Sequence, residues 1–167
     1  MKEISWEKLA EADLRGKVFL LPTDTVWGLH ALCGDRAAEE KLRRLKGRDG
    51  TKPFIVLIAD PRDLNDFGVV LDERMRELID LIWPGPRTLI LPAAGGGKTA
   101  FRRPAFAPLA DFLRRRGAVF STSANLGGEP TIAEPAELPS VLAEEVDYFV
   151  PGERKTSQPS LLLDILR

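Results

Sequence analysis

Short apolar runs alternate along the chain with stretches of helical periodicity, and this alternation predicts an α/β fold. The run at residues 17–21 is almost entirely apolar, which is typical of a buried strand rather than of a strand with one wet face. The other predicted strands lie at residues 54–58, 88–91, 117–120, 146–150 and 161–165.

The segments between these runs predict helices with recognisable ends. Ser5 is the predicted N-cap of a helix over residues 6–14, and Asp35 is the predicted cap of a helix that ends at Gly47. Further helices are predicted at residues 61–67, 72–82 and 105–116. Strands that alternate with helices favour one layer of sheet with helices packed against it, and we expect a single domain over residues 1–167.

The composition is that of a soluble globular protein. The chain has 167 residues, of which 44% are hydrophobic and 29% are charged. It can therefore bury a sizeable core without disulfide bonds or structural metal ions. No apolar run approaches membrane-spanning length and residues 1–5 lack a signal-peptide core, so we expect a cytoplasmic protein with no membrane partner. The net charge of −1 gives no general reason to expect nucleic acid as a partner.

Two polar segments follow predicted buried strands. Residues 121–125 (STSAN) bring several small hydrogen-bonding groups together, and strand alternation predicts that Ser121 and Ser123 share one face. Residues 22–25 (PTDT) follow the first strand, where α/β proteins place ligand-binding loops, although a plain turn explains them equally well. Together they predict a pocket for a polar small molecule.

Lys46, Arg48 and Lys52 form a cluster of cations between the second helix and the second strand. Such a cluster can converge on phosphates or on a carboxylate. A favourable position at the helix C-terminus is the alternative, and it explains Lys46 alone.

Other chemistries have little support in the sequence. Gly97-Lys98-Thr99 does not form a phosphate-binding loop, because Pro92 stands where that motif needs glycine. His30 is the single histidine and lies among apolar residues, which favours a hydrogen-bonded core residue over a catalyst. We therefore expect no catalytic side chain, and a reaction that depends on positioning and on the stabilisation of phosphate charge.

Four segments resemble one family in order and spacing. They are residues 22–29 (PTDTVWGL), residues 46–48 (KGR) with Lys52-Pro53, residues 83–88 (WPGPRT) and residues 121–128 (STSANLGG). All four are similar to motifs of the YrdC-like threonylcarbamoyl-AMP synthases in their short, single-domain form.

The resemblance implies a YrdC/RibB-like fold, in which a twisted mixed sheet with flanking helices surrounds a concave, positively lined cavity. It implies a nucleotidyltransferase that uses L-threonine, bicarbonate and ATP, with Mg²⁺, to give threonylcarbamoyl-AMP and pyrophosphate. The product serves the t6A modification at position 37 of tRNA. Transfer proteins of the TsaD, TsaB and TsaE type are the implied downstream partners, and tRNA is a possible direct one.

The matching motifs also imply the roles of individual residues. Those implied to bind L-threonine are Thr25, Ser121 and Ser160. Those implied to bind ATP or its phosphates are Lys46, Arg48, Lys52, Thr88, Ser123, Asn125 and Arg102. Arg103 competes with Arg102 for its role, Leu57 and Leu161 depart from the family pattern on the threonine side, and metal ligands stay open.

Two alternatives accompany this reading. One is an RNA-binding module of the same fold without synthase activity, which the aromatic content of 7% and the lack of net positive charge disfavour. The other is a carbamoyl-transferring relative like the YrdC-like part of hydrogenase maturation proteins, which carry further segments that this chain lacks.

Overall fold

A computed structural model describes residues 1–47 and 53–165 of the chain. Its strands are β1 (Lys2–Glu3), β2 (Phe19–Leu21), β3 (Gly28–Leu32), β4 (Ile55–Leu57), β5 (Arg87–Pro92), β6 (Lys98–Arg102), β7 (Val119–Ser123), β8 (Tyr148–Phe149) and β9 (Leu161–Asp164). Its α-helices are α1 (Trp6–Glu11), α2 (Arg36–Leu45), α3 (Glu73–Ile82), α4 (Ala107–Arg116) and α5 (Ser140–Ala143). Short 3₁₀ helices lie at Pro61–Phe67, Ala94–Gly96 and Pro135–Glu137.

The described strands form one sheet in the order β1-β8-β2-β3-β7-β4-β6-β5-β9. Its centre is antiparallel, since β3 pairs with β2 and β7, and β7 pairs with β4. The pairs β4–β6, β5–β9, β2–β8 and β1–β8 are parallel. The predicted mixed sheet is therefore confirmed.

Helices pack against both faces of the sheet. Residues Phe19, Leu57 and Val119 share a core cluster with buried side chains of α1 and α4. On the opposite face, Leu20 and Leu29 pack with residues of α2 and α5, while a third cluster gathers residues of α3 with β4, β5 and β6. The face under α1 and α4 is the one that carries the pocket described below.

Several predicted helix ends are confirmed by their hydrogen bonds. The Ser5 hydroxyl accepts from the Lys8 backbone at 3.3 Å, and the Asp35 carboxylate accepts from the Ala38 backbone at 3.0 Å. The first helix ends at Glu11, earlier than predicted, while the segment at Pro61–Phe67 is helical but of the 3₁₀ type.

Besides the two-residue strand β1, two longer strands were missed by the sequence pattern. No strand was predicted between residues 22 and 53, yet β3 begins at Gly28 and is buried on both faces at its first four positions. Strand β6 follows a glycine-rich turn and has a cation at each end. Its sequence therefore resembled that of a loop. Both are held by pairing with distant strands rather than by their own composition.

Among the described residues, no helix is long and apolar enough to cross a membrane.

Candidate functional site

A polar cavity opens on the sheet face that α1 and α4 leave partly uncovered. The sheet register pairs Ser121 with His30 on one side and with Ile55 on the other, so these side chains share that face. Ser123 pairs with Gly28 one step further along, beyond the edge of the helical cover. The cavity therefore begins where the apolar cluster under the two helices ends.

The cavity has a volume of about 170 Å³. It is smaller than the roughly 300–1,000 Å³ of pockets that enclose drug-sized ligands. Its lining residues come from four strands and three loops, and they are Thr23, Thr25, Val26, Trp27, Gly28, Pro53, Ile55, Arg102, Ser121, Thr122, Ser123, Pro159 and Ser160.

The alternation predicted for the STSAN segment is confirmed. Ser121 and Ser123 lie two positions apart on β7, and both line the cavity with half-buried side chains. Thr122 pairs with Leu29, whose side chain lies in the core of the opposite face. The two serines thus face one shared space, and the structure does not separate a threonine side from a nucleotide side between them.

Arg102 is the charged group in the wall of the cavity. Its side chain is 6% exposed and forms an ion pair with Asp24, and its Nη1 donates to Thr25 Oγ1 at 3.0 Å. Its Nε donates to the carbonyl of Gly85 at 3.3 Å. Burial lowers the pKa of Arg102, and the adjacent carboxylate of Asp24 opposes that shift.

Arg102 and Arg103 point to different parts of the structure, which decides which of them lies at the site. Arg103 Nε donates to the carbonyl of Ala59 at 2.9 Å, and Arg103 does not line the cavity. Arg102 sits at the end of β6 on the face shared with Leu57, its register partner on β4. Of the two, Arg102 is the one at the site.

Thr25 is held in a short chain of hydroxyls beside Arg102. The Thr23 and Thr25 hydroxyl oxygens lie 3.0 Å apart, and Thr23 Oγ1 also donates to the Val26 carbonyl at 2.9 Å. With that proton committed, the Thr25 hydroxyl donates to Thr23 and accepts from Arg102. Asp24 completes the loop by accepting from the Ala105 backbone at 2.9 Å.

Lys46 contacts the end of β7 from the last turn of α2. Its Nζ donates to the Ser123 carbonyl at 2.9 Å and to Asn125 Oδ1 at 3.1 Å, and it also donates to the Asn125 carbonyl. Asn125 Oδ1 accepts in addition from the Ser123 hydroxyl at 2.6 Å. The ammonium group therefore fixes the polar turn that follows β7, and its predicted phosphate contact stays a prediction.

Thr88 and Ser160 are paired directly. Their hydroxyl oxygens lie 2.8 Å apart across β5 and the start of β9, and Thr88 is fully buried. Only Ser160 of the pair lines the cavity. The family resemblance implied that Thr88 binds the nucleotide and that Ser160 binds L-threonine. The structure joins the two hydroxyls, and both implied roles stay predictions.

Arg48 and Lys52, the other two cations of the predicted cluster, lie outside the described residues. Pro53, which follows Lys52 in the chain, lines the cavity. Leu57, which departs from the family pattern, is buried in the core under α1 and α4, and Leu161 is more than half exposed at the start of β9.

His30 is buried as predicted, and its predicted hydrogen bonding is reduced to a weak contact with the Phe120 backbone. It is 0% exposed, and neither ring nitrogen has a hydrogen-bond partner of normal geometry among the described residues. Burial, with a smaller effect of the Arg102 charge, lowers the pKa of His30 to about 3, and the Phe120 backbone opposes this shift. The ring is neutral at physiological pH.

Two features of the site were weakly signalled by the sequence. Thr23 and Trp27 line the cavity and lie in the motif at residues 22–29, but nothing in the pattern separated them from their neighbours.

Among residues 1–47 and 53–165, no group of three or more His, Cys, Asp or Glu side chains could hold a metal ion.

The family model described as "Telomere recombination", Sua5/YciO/YrdC, matches residues 12–167. The chain is 34% identical over 169 residues to a threonylcarbamoyl-AMP synthase of Nitrosococcus oceani, covering 94% of this chain and 91% of that relative. Its fold is similar to a P. abyssi Sua5 variant, with 26% identity and a TM-score of 0.86, over 98% of this chain and 56% of that one.

A second P. abyssi Sua5 structure, complexed with L-threonine, is 24% identical and also has a TM-score of 0.86, with 99% of this chain and 54% of that one covered. The chain thus spans about half the length of both Sua5 structures. The family match, the shared fold and the relative of nearly equal length agree. This chain belongs to the Sua5/YciO/YrdC family.

Proposed function

We propose that the protein is a threonylcarbamoyl-AMP synthase, which converts L-threonine, bicarbonate and ATP into threonylcarbamoyl-AMP and pyrophosphate. The observation that carries the proposal is the convergence of Thr25, Ser121, Ser160 and Arg102 on one cavity, in a chain whose near-full-length relative bears that name. The L-threonine in a P. abyssi Sua5 agrees with an amino-acid pocket in this fold.

The size of the cavity suits the smaller substrates. About 170 Å³ accommodates an amino acid with a one-carbon group, but it does not enclose ATP. The Ser121 hydroxyl can donate to or accept from the amino acid, and the oxygens of Thr25 and Ser160, which already form hydrogen bonds with their neighbours, can each accept one more. Three of the five Arg102 N–H groups are used by Gly85, Thr25 and Asp24, and the other two are available for an anionic oxygen of a substrate.

ATP then extends from the cavity along the end of β7. Ser123 and Asn125 lie there, fixed by Lys46, and the predicted phosphate ligands Arg48 and Lys52 follow Lys46 closely in the chain. The described residues offer no cluster of carboxylates for a resident metal. We expect Mg²⁺ to enter as part of the MgATP substrate, held by phosphate oxygens and water.

The chemistry of this reaction needs no protein nucleophile. The L-threonine amine combines with bicarbonate to give a carbamate and water, and a carbamate oxygen attacks the α-phosphorus while pyrophosphate leaves. Hydrogen bonds from the cavity wall align the carbamate with ATP, and cations offset the charge that builds on the phosphates. The product is a mixed anhydride, a suitable carbamoyl donor for the amine of a tRNA adenosine.

Pyrophosphate release tests the proposal. The purified protein is incubated with MgATP, and L-threonine and bicarbonate are each withheld in turn. We expect release only when both are present. Release that is indifferent to L-threonine would overturn the proposed function. Ser123→Ala and Lys52→Ala should lower the rate far more than Lys98→Ala, whose Nζ lies 3.7 Å from Asp164 and outside the cavity.

A further inference from the structure

His30 lies at the boundary between the cavity and the apolar core. On β3, Gly28, His30 and Leu32 alternate onto the same sheet face. Gly28 lines the cavity, while Leu32 packs against the cluster under α1 and α4. The ring of His30 stacks on Phe19 of that cluster, with centroids 6.2 Å apart and an interplanar angle of 23°.

The ring extends along the strand toward the cavity. A Cβ atom placed on Gly28 would meet His30 Nε2 at 2.6 Å and Cε1 at 2.9 Å. Gly28 therefore leaves the space that the ring occupies. Nε2 is the ring atom nearest to that Cβ position, and Gly28 itself lines the cavity.

The orphaned ring nitrogens require an explanation. An unsatisfied buried polar group is destabilising, and most buried polar groups in native proteins have a partner. Neither ring nitrogen has a partner of normal geometry among the described residues, and the Phe120 backbone makes only a weak contact with the ring. Because the ring stays neutral at physiological pH, it is a poor general acid or base, and hydrogen bonding is the role left to it.

Ser121 is the polar neighbour that can use this ring. It is the direct cross-strand partner of His30 on β7, and its side chain lies on the same face of the sheet. Ser121 lines the cavity, and none of the hydrogen bonds of the described residues uses its hydroxyl. Rotation about one bond redirects that hydroxyl, and no hydrogen bond joins it to His30 in the present arrangement.

We propose that His30 is a positioning residue: its Nε2 accepts the Ser121 hydroxyl proton when the cavity is filled, so that the Ser121 oxygen presents a lone pair to the nitrogen of the bound amino acid. This assignment rests on the proposed function. It gives the orphaned ring a partner in the substrate complex, and it directs the L-threonine nitrogen toward the point where the carbamate forms. Ser121 contacts the substrate, and His30 acts through it.

Three substitutions at His30 separate this role from a structural one. His30→Gln keeps a hydrogen-bond acceptor near the position of Nε2, His30→Asn keeps one near Nδ1, and His30→Leu keeps neither. We expect the KM for L-threonine to rise roughly three- to tenfold in the Leu and Asn variants, with the KM for ATP unchanged. The Gln variant should stay within about twofold of the wild type, since its acceptor lies near Nε2.

The stability of His30→Leu and the coupling between His30 and Ser121 distinguish a positioning role for His30 from a purely structural one. His30→Leu removes an unsatisfied buried group, so its urea-unfolding midpoint at pH 7 should not fall below that of the wild type. Ser121→Ala and the double variant with His30→Leu should share one KM for L-threonine, because both remove the same interaction. An unchanged KM in His30→Leu, additive effects in the double variant, or equal losses in Gln and Asn would each overturn the proposal.

The proposal and the proposed function can fail separately. If the wild type releases no pyrophosphate, the synthase assignment is what fails. The ring ¹⁵N chemical shifts of the single histidine, followed during addition of L-threonine, then decide the role of His30 by themselves. A shift that Ser121→Ala abolishes supports the proposal, and ring signals that do not respond overturn it.

Discussion

The single histidine, His30, makes the free energy of unfolding depend on pH between pH 7 and pH 5, where few other side chains titrate. The folded-state pKa of His30 is about 3, against 6.5 for the free side chain. As the pH falls below 6.5, the His30 ring becomes protonated in the unfolded chain but stays neutral in the folded protein. Stability is therefore lost as the pH falls, and we expect His30→Leu to abolish most of this loss.

The size of the effect follows from the pKa difference. Each pH unit well below 6.5 and above 3 costs about 1.4 kcal/mol, so the loss between pH 7 and pH 5 is about 2 kcal/mol. Carboxylates with lowered pKa values, such as Asp13, Asp60 and Asp147, lose their stabilising contribution only at lower pH, as the pH falls through their folded-state values. The window from pH 7 to pH 5 is therefore dominated by His30.

Urea unfolding followed by tryptophan fluorescence at pH 7, 6 and 5 measures this loss. The wild type should lose about 2 kcal/mol over that range, and His30→Leu only a small part of it. Lys98→Ala, a surface substitution that retains the histidine, should reproduce the wild-type slope. A wild-type stability that is flat over this range, or a His30→Leu variant with the same slope, would refute the reasoning.

Three further substitutions test the contacts around the cavity. Asp24→Asn leaves Arg102 buried without its counter-charge and should cost about 3–5 kcal/mol in the free energy of unfolding, while a loss below about 0.5 kcal/mol would show that the pair is not structural. Gly28→Ala should destabilise the protein by about 1–3 kcal/mol, and the penalty should disappear in a His30→Ala background; a penalty that persists there would contradict the clash with the ring. Lys46→Met should accelerate amide hydrogen exchange at residues 124–125 but not in α4, and unchanged exchange at 124–125 would mean that Lys46 does not fix the turn.

Local signals in the sequence predicted much of the fold. The caps Ser5, Asp35 and Asp72 accept backbone hydrogen bonds three residues ahead, and such contacts depend on neighbouring residues alone. The period of two along β7 placed Ser121 and Ser123 on one face without knowledge of the partner strands. These features need no tertiary information.

The rest of the site depends on contacts between distant segments. The sequence could not show that Arg102, rather than Arg103, meets Asp24, because the pair lies 78 residues apart and is set by the position of β6. The contact of Lys46 with Asn125 spans 79 residues and gives that lysine a structural role that the sequence did not show. The unpartnered state of His30 likewise follows from the packing of three strands, and composition carries no sign of it.

The most direct measurement of the synthase assignment is the fate of labelled carbon. The protein is incubated with MgATP, L-threonine and ¹³C-bicarbonate, and the nucleotide products are separated and weighed by mass spectrometry. We predict an AMP adduct that contains one L-threonine and one ¹³C atom and whose yield falls sharply in Ser123→Ala but not in Lys98→Ala. AMP-containing products that carry no label, or a labelled product that forms without L-threonine, would contradict the account.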